Sequence, residues 1–479
     1  MFRHPTRRNP RSSQQVRAWA WALAALGPLS LANAYAADST ATVERPTLKT
    51  NRWQEDWSVL QDPSLRTAPL DSLKYIPLSN DNAQRYLSLG ATARERYEIN
   101  DAPAIGTRGA RDSWLIQRLQ IHADLHLDEH WRLFTQLEDA RAFGKDTIGG
   151  ADQNHLDLRL AFAEYVTSLG QNTFKARVGR QDFAFDLQRF ISSRDGPNVR
   201  QSFDALWADW ETPQWRFIGI ASHPVQYQDL RNFDDKSNSD VAFHMIRVER
   251  LVGGKNELSA YYGLYEEKDA SYVDAQGDER RNIFDTRLGG SALGYDWDVE
   301  GMLQRGAVGA KDIRAWAGGS RLGYTWTDTP WSPRIGLQLD AASGDRHRGD
   351  GTLGTFNPLF PNGYYFSLSG YTGYSNLYHV KPTITVKPLT GLSVMAGVGL
   401  LWRQTTEDAV YTQPNLPVAG TAGQGGRWTG YYDQLRVDYA FTRNLSGAIE
   451  AVHYNAGEAL RDAGAHNSNY LGVETKFMW

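Results

Sequence analysis

Residues 115–127, with the sequence LIQRLQIHADLHL, decide the fold class of this chain. One alternating set of side chains is apolar and comprises Leu115, Leu119, Ile121, Ala123, Leu125 and Leu127. The intervening set is mostly polar and includes Arg118, Gln120, His122, Asp124 and His126. Because successive side chains of a β-strand point to opposite faces, this pattern predicts a strand with one apolar and one polar face.

The same alternation recurs from Tyr86 to the C-terminus in about eighteen segments. Each is roughly 9–14 residues long, which suits tilted strands that cross a bilayer. A soluble β-sandwich shows the same alternation with its apolar face turned inward. The lengths of the connections must therefore distinguish a secreted soluble protein from a membrane barrel.

The connections alternate between short and long. Residues 128–130, 168–172, 212–213 and 253–255 are short, whereas residues 143–155, 181–202, 224–240 and 267–282 are long. Outer-membrane barrels have short periplasmic turns and long external loops, and a soluble sandwich has no reason to keep this order. The sequence therefore predicts an all-β fold, a transmembrane antiparallel β-barrel of about 18 strands over residues 86–479.

The N-terminus has the pattern of a secretory signal peptide over residues 1–36. A basic region is followed by the apolar stretch Ala18–Leu31 and by the small-x-small sequence Ala34-Tyr35-Ala36, which predicts cleavage near Ala36. Residues 37–85 are polar and lack strand periodicity. We expect them to form a periplasmic lead-in segment, with short helices near Trp53–Leu65.

The C-terminal residues Leu471, Val473, Phe477 and Trp479 alternate up to a terminal aromatic ring. This resembles the signal by which outer-membrane proteins are recognised for assembly. The expected location is thus the outer membrane of a Gram-negative bacterium. The expected partners are the barrel assembly machinery, outer-membrane lipid and lipopolysaccharide.

Composition excludes several other classes of protein. The chain has 55 acidic and 51 basic residues, and removal of residues 1–36 takes away five arginines and no acid, so a nucleic-acid partner is not expected. The absence of cysteine excludes disulfides, thiol catalysis and cysteine metal sites. No metalloprotease, phosphate-loop, dinucleotide or nucleophile-elbow motif is present, so we predict no catalytic residue, metal or cofactor.

The polar faces of the predicted strands carry many arginines into the lumen. They are Arg94, Arg96, Arg118, Arg132, Arg159, Arg177, Arg247, Arg287, Arg321, Arg403 and Arg436. Cationic side chains in a narrow pore attract anions and bond carboxylates. Acidic residues share these faces, so the arginines could equally pair with carboxylates and stiffen the wall.

Two loops carry further candidate residues. The loop near 181–202 contains Arg189, Arg194 and Arg200, and we expect it to fold inward as a constriction. The stretch 343–354 places Asp345 and Asp350 among glycines, a composition that can bind calcium but is more typical of a solvated loop.

Several motifs resemble the alginate export family of outer-membrane porins. They are residues 52–57 (RWQEDW), 73–78 (LKYIPL), 86–90 (YLSLG), 94–97 (RERY), 178–181 (VGRQ), 196–200 (GPNVR), 202–204 (SFD), 343–345 (SGD) and 355–361 (TFNPLFP). The resemblance implies an eighteen-stranded barrel and a channel. The founding activity of the family is passive export of alginate, a polyuronate, through a pore lined with arginines. The lead-in segment is longer than an alginate exporter needs, which indicates a member of the wider family.

The leading prediction is a channel for passive diffusion or export of anionic solutes such as anionic saccharides or alginate. The alternatives are a general porin for small solutes with little charge preference, and an outer-membrane barrel enzyme.

Overall fold

The computed structural model describes residues 45–107 and 110–479, which form one closed antiparallel barrel. The last strand pairs with the first from Thr92↔Met478 to Asn100↔Tyr470, so the sheet has no open edge. The barrel has eighteen long strands, which confirms the predicted fold class and strand number. The residues of the predicted signal peptide, with cleavage near Ala36, lie outside the described ranges.

The barrel strands are β1 (Tyr86–Asn100), β2 (Asp112–His126), β3 (Trp131–Phe143), β4 (Asn154–Leu169), β5 (Asn172–Gln181), β6 (Phe203–Glu211), β7 (Trp215–Gln226), β8 (Val241–Leu251), β9 (Glu257–Ser271), β10 (Gln276–Ala292), β11 (Tyr295–Val308), β12 (Lys311–Thr325), β13 (Arg334–Ala342), β14 (Leu377–Val386), β15 (Leu392–Trp402), β16 (Trp428–Ala440), β17 (Leu445–Ala456) and β18 (Ser468–Met478). Two-residue strands at Ile76–Pro77, Lys236–Ser237, Thr352–Leu353, Tyr411–Thr412 and Leu416–Pro417 lie between them or before them.

The two faces of the strands have the polarity predicted for a membrane barrel. On β2, Leu119 and Ile121 are 43% and 59% exposed, whereas the intervening Arg118 and Gln120 are buried. Exposed tryptophans such as Trp131 and Trp331 stand near the ends of strands, as in the aromatic girdles of such barrels. Among the residues described, no helix is long and apolar enough to cross a membrane.

Two external connections, residues 272–275 between β9 and β10 and residues 309–310 between β11 and β12, are shorter than the general pattern. The predicted long loop at 267–282 is wrong, because β9 continues to Ser271 and β10 begins at Gln276. The polar residues there remain paired across the hairpin, with Glu267 opposite Glu279. A run of charged residues cannot distinguish a loop from a hairpin that extends beyond the membrane, because both face water.

The segment before β1 folds into short pieces. Three 3-10 helices span Arg52–Gln54, Ser58–Gln61 and Pro63–Leu65, and one α-helical turn spans Asp71–Lys74. Trp57, Leu60 and Tyr75 of this segment pack with Tyr86 of β1 in a small buried cluster. A second α-helical turn, Glu458–Arg461, lies in the last external loop.

The main apolar core lies inside the barrel. The loops at 182–202 and 343–376 contribute aromatic side chains that pack against inward residues of the wall such as Phe203 and Phe243. Phe360 makes edge contacts with both of these rings, at centroid distances of 4.9 and 5.6 Å. The two loops therefore fill part of the lumen, and the wall residues that face them are buried.

Candidate functional site in the barrel lumen

The loop at 182–202, which we call the constriction loop, covers the arginines of the first two strands. Arg118 Nη2 donates to Asp195 Oδ1 at 2.7 Å, and Arg94 Nη2 donates to the carbonyl oxygen of Gly196 at 3.0 Å. Burial opposes ionisation of Asp195, but Lys476 and Arg118 lead a group of cations that hold its pKa well below the usual range. The loop therefore carries its own anion into the arginine cluster.

Carboxylates of the last strands neutralise Arg96 and Arg436. Arg96 pairs with Glu98 at 2.5 Å and with Glu474 at 3.2 Å, and it also contacts Glu450. Arg436 pairs with the same Glu450, and its side chain is 31% exposed. These contacts join β1 to β17 and β18, so they also brace the closure of the barrel.

The arginines of β3 to β5 have similar partners. The ion pairs are Arg132–Asp124 at 2.6 Å, Arg132–Glu164 at 3.4 Å, Arg159–Asp182 at 2.5 Å, Arg159–Glu138 at 3.4 Å and the contact Arg177–Glu164. Asp182 is the first residue of the constriction loop, so this loop again supplies the counter-charge. Arg159 and Arg177 are buried and Arg132 is half-buried, so their guanidinium groups are not an open row of cations.

On the opposite wall, Arg247 and Arg287 share one carboxylate of the constriction loop. Asp186 Oδ1 lies 2.8 Å from Arg247 Nη2 and 2.9 Å from Arg287 Nη1. Arg287 also pairs with Asp298 at 2.7 Å. Asp186 thus fixes the first part of the loop to β8 and β10.

The three arginines of the constriction loop differ in their surroundings. The Arg189 side chain has no exposed surface, and it donates to Tyr365 Oη at 2.6 Å and pairs with Glu300. Arg200 pairs with Asp195 at 3.3 Å. Arg194 is half-buried, and its guanidinium makes no hydrogen bond or ion pair within residues 45–107 and 110–479.

Three further cations bond only to neutral acceptors among the described residues. Arg321 donates to the carbonyl oxygen of Tyr365 at 3.1 Å, and Lys381 donates to that of Phe366. Arg403 follows the end of β15 and donates to several loop carbonyls, among them Gly426 at 2.6 Å. It was predicted as a lumen residue of a strand, but its bonds hold the loop at 403–427 together.

The acidic loop residues Asp345 and Asp350 have separate surroundings. Burial, together with the neighbouring acids Asp274 and Asp408, raises the pKa of Asp345 to about 6. Asp350 is exposed and accepts from the backbone N–H of Thr352 at 2.7 Å. In the described part of the chain, the group of three acids whose carboxylate oxygens lie within 4.8 Å of one another is instead Asp157, Asp234 and Asp235.

The filling of the lumen by loops was only partly predictable. A constriction near 181–202 was expected, but the inward course of residues 343–376 was not. The available signal is aromatic density, since Phe356, Phe360, Tyr365 and Phe366 lie within a short stretch of supposed external loop. Solvated loops seldom carry so many large apolar rings, because exposing them to water is unfavourable.

The constriction loop combines anchored carboxylates with one guanidinium that has no charge partner in the described part of the chain. Ion pairs anchor the constriction loop on both walls, and Arg194 is a cation of this loop that has no charge partner among the described residues. An uncompensated guanidinium can bind a carboxylate through two parallel hydrogen bonds.

Comparison with known proteins agrees with this geometry. Residues 85–474 match the family model described as alginate export. Among solved structures, OpdO of Pseudomonas aeruginosa is 12% identical with a TM-score of 0.55, and the match covers 82% of this chain and 97% of that one. OccK2 (OpdF) of the same organism, solved in complex with glucuronate, is 14% identical with a TM-score of 0.54, over 82% and 96% of the chains.

OccK8 (OprE) of Pseudomonas aeruginosa is 11% identical with a TM-score of 0.54, and the match covers 82% of this chain and 98% of that one. At these identities the structural likeness establishes only the fold, a closed antiparallel β-barrel. No curated protein sequence matches the chain. Because the family model spans most of the sequence, the chain belongs to the alginate export family of outer-membrane barrels.

Proposed function

We propose that this protein is an outer-membrane channel for the passive passage of anionic solutes, and that Arg194 of the constriction loop is the cation that selects them. The proposal rests on the difference in charge pairing between Arg194 and the arginines of the wall. Nine of the eleven predicted lumen arginines pair with carboxylates, whereas Arg194 has no counter-charge among the described residues.

The chemistry of the solute follows from the guanidinium group. It stays charged at any working pH, and its planar fork matches the two oxygens of a carboxylate. Arg321 and Lys381 add two more cations that bond only to backbone carbonyls and other neutral acceptors in the part of the chain described. A carboxylated sugar suits this set, and the related fold of OccK2 has been solved with glucuronate.

The runner-up function is a general porin with little charge preference. The extensive pairing of the wall arginines favours it, because a neutralised wall exerts a weak field on passing ions. The electrostatic reach at physiological salt is about 8 Å, so discrimination depends on the few unpaired groups at the narrowest point.

Single-channel recording in planar bilayers tests the proposal. Under a gradient of potassium chloride, the wild-type reversal potential should have the sign of an anion-selective pore. Arg194→Gln should reduce the anion preference and Arg194→Glu should reduce it further, with both effects fading in high salt as the charge is screened.

Arg346→Gln is the matched control, because Arg346 is an exposed arginine of an external loop. It should leave the reversal potential unchanged. A wild-type pore without anion preference, or Arg194 variants with the reversal potential of the Arg346 control, would remove the proposal and leave the general porin.

A further inference from the structure

The segment before the first strand enters the barrel and binds its seam. Arg52 is 2% exposed, and it donates to the carbonyl oxygens of Ala91 at 3.0 Å and Trp479 at 2.9 Å. Ala91 lies on β1 and Trp479 directly follows β18, so one guanidinium bonds both strands that close the sheet. Glu55, at 2.7 Å, balances the charge of Arg52.

The next residue, Trp53, reaches the constriction loop. Its indole N–H donates to Asp182 Oδ1 at 2.6 Å, and its carbonyl oxygen accepts from Arg132 at 2.6 Å. The Arg177 guanidinium lies 4.0 Å from the centre of one ring of the indole, a cation–π contact. Trp53 therefore stands between the wall and the loop, over two of the predicted pore arginines.

A second link comes from the other end of the constriction loop. Arg200 donates to the carbonyl oxygen of Thr50 at 3.2 Å and to the side chain of Asn51, and also to Ser193 Oγ at 3.0 Å. The segment before β1 and the constriction loop are thus bonded to each other inside the lumen. Together they occupy space through which a solute would pass.

The segment is built as a small body with polar attachments. Trp57, Leu60 and Tyr75 form its apolar cluster, and the only other fully buried member of that cluster is Tyr86 on the wall. An ion pair between Arg45 and Asp71 joins its two ends. Its contacts with the barrel are mostly polar, and its aromatic contacts with the wall are few, among them Tyr75 on Tyr86 at 4.8 Å and Trp53 on Phe162 at 6.3 Å between ring centroids. Water can replace the polar contacts, because a hydrogen bond contributes little net free energy when its partners can bond to water instead.

We propose that residues 45–75 are a plug that docks in the periplasmic half of the lumen, and that passage of solute requires the plug to withdraw. The docked plug also hides Arg132 and Arg177, so withdrawal uncovers cations of the wall. Withdrawal of the plug would widen the pathway for any solute, so this role of the plug does not depend on whether Arg194 makes the pore anion-selective.

A reversible cross-link tests the proposal in the full-length protein. Asn51 and Ser193 both bond to Arg200 Nη2, so Asn51→Cys with Ser193→Cys places two thiols near each other. The natural chain has no cysteine, so no other disulfide can form. The oxidised channel should remain at low conductance, and reduction should raise its conductance at least about twofold, since barrels of 16–18 strands otherwise enclose an aqueous channel.

The single cysteine variants, treated with the same oxidant, show whether the thiols themselves affect conductance. Trp53→Ala is an independent arm that does not need a disulfide, and it should also raise conductance by weakening the docked state. Its matched control is Trp131→Ala, which removes a tryptophan from the outer face near a strand end. Heat-dependent migration on a gel shows that each barrel is folded.

Equal conductance of the oxidised and reduced double variant overturns the plug. If the disulfide does not form, the conductance of the Trp53→Ala variant decides the question. A folded Trp53→Ala barrel that conducts like the wild type overturns the plug proposal. The reversal potential, recorded in the same experiment, reports separately on Arg194, so the plug and the anion selectivity can fail independently.

Discussion

Arg189 is the residue whose replacement most directly tests how the constriction loop is held. Its side chain has no exposed surface, and it pairs with Glu300 and lies 3.3 Å from Asp298. Asp298 keeps Arg287 as a second partner at 2.7 Å. Within the described residues Glu300 has no other ion pair, so Arg189→Met leaves one buried carboxylate without its counter-charge.

Breaking a buried ion pair from one side costs about 3–5 kcal/mol. At about 1.4 kcal/mol for each factor of ten, the ratio of docked to undocked loop falls about 100- to 4,000-fold. We therefore expect the variant to conduct more current and to be cleaved by protease within 182–202. Single-channel recording and limited proteolysis of the refolded barrel measure these two effects.

Two further variants make the reasoning specific. Arg314→Met is the control, because Arg314 and Asp312 form an exposed pair 3.9 Å apart whose loss should cost no more than about 1 kcal/mol. Adding Glu300→Gln to Arg189→Met removes the stranded charge and should restore part of the wild-type behaviour. Wild-type conductance and proteolysis in a folded Arg189→Met barrel would refute the argument that this pair anchors the loop.

Three other predictions follow from the structure. The backbone N–H of Trp479 donates to the carbonyl oxygen of Ala91 at 2.9 Å. Deleting Trp479 should lower the yield of folded barrel and induce envelope stress. An unchanged yield would count against an assembly signal at this residue. Burial, followed by the charge of Arg52, lowers the pKa of Lys74 to about 7 in the docked segment. Between pH 7 and about 10 the unfolded segment therefore binds more protons than the docked one. Docking should strengthen as the pH rises through this window. Protease protection of residues 45–75 measures this effect, and Lys74→Met should flatten it. Phe360→Ala should cost about 3–5 kcal/mol, because it removes a ring from the lumen core, and a barrel whose urea midpoint stays at the wild-type value would contradict this packing.

The sequence by itself determined the barrel. Strand pleating is local, so the alternation in residues such as 115–127 already separates the lipid face from the lumen face. The eighteen strands occur in the predicted order, although β9 and β10 extend into the predicted loop at 267–282, and wall arginines such as Arg118 lie on the buried face. A loop is predicted at 267–282 where the structure has a hairpin, because charged residues are equally compatible with an exposed loop and with an exposed part of a sheet.

Only the tertiary structure decided what the lumen contains. Arg189 forms an ion pair with Glu300, and Arg52 donates a hydrogen bond to the carbonyl oxygen of Trp479. The partners in each contact are so far apart along the chain that no local sequence pattern predicts it. These partners meet because the aromatic constriction loop and the segment before β1 bury their rings inside the barrel instead of exposing them to water. The alternation of neighbouring residues determines to which face of the strand a side chain points. Its charge partner depends on which distant segment of the chain packs against that face.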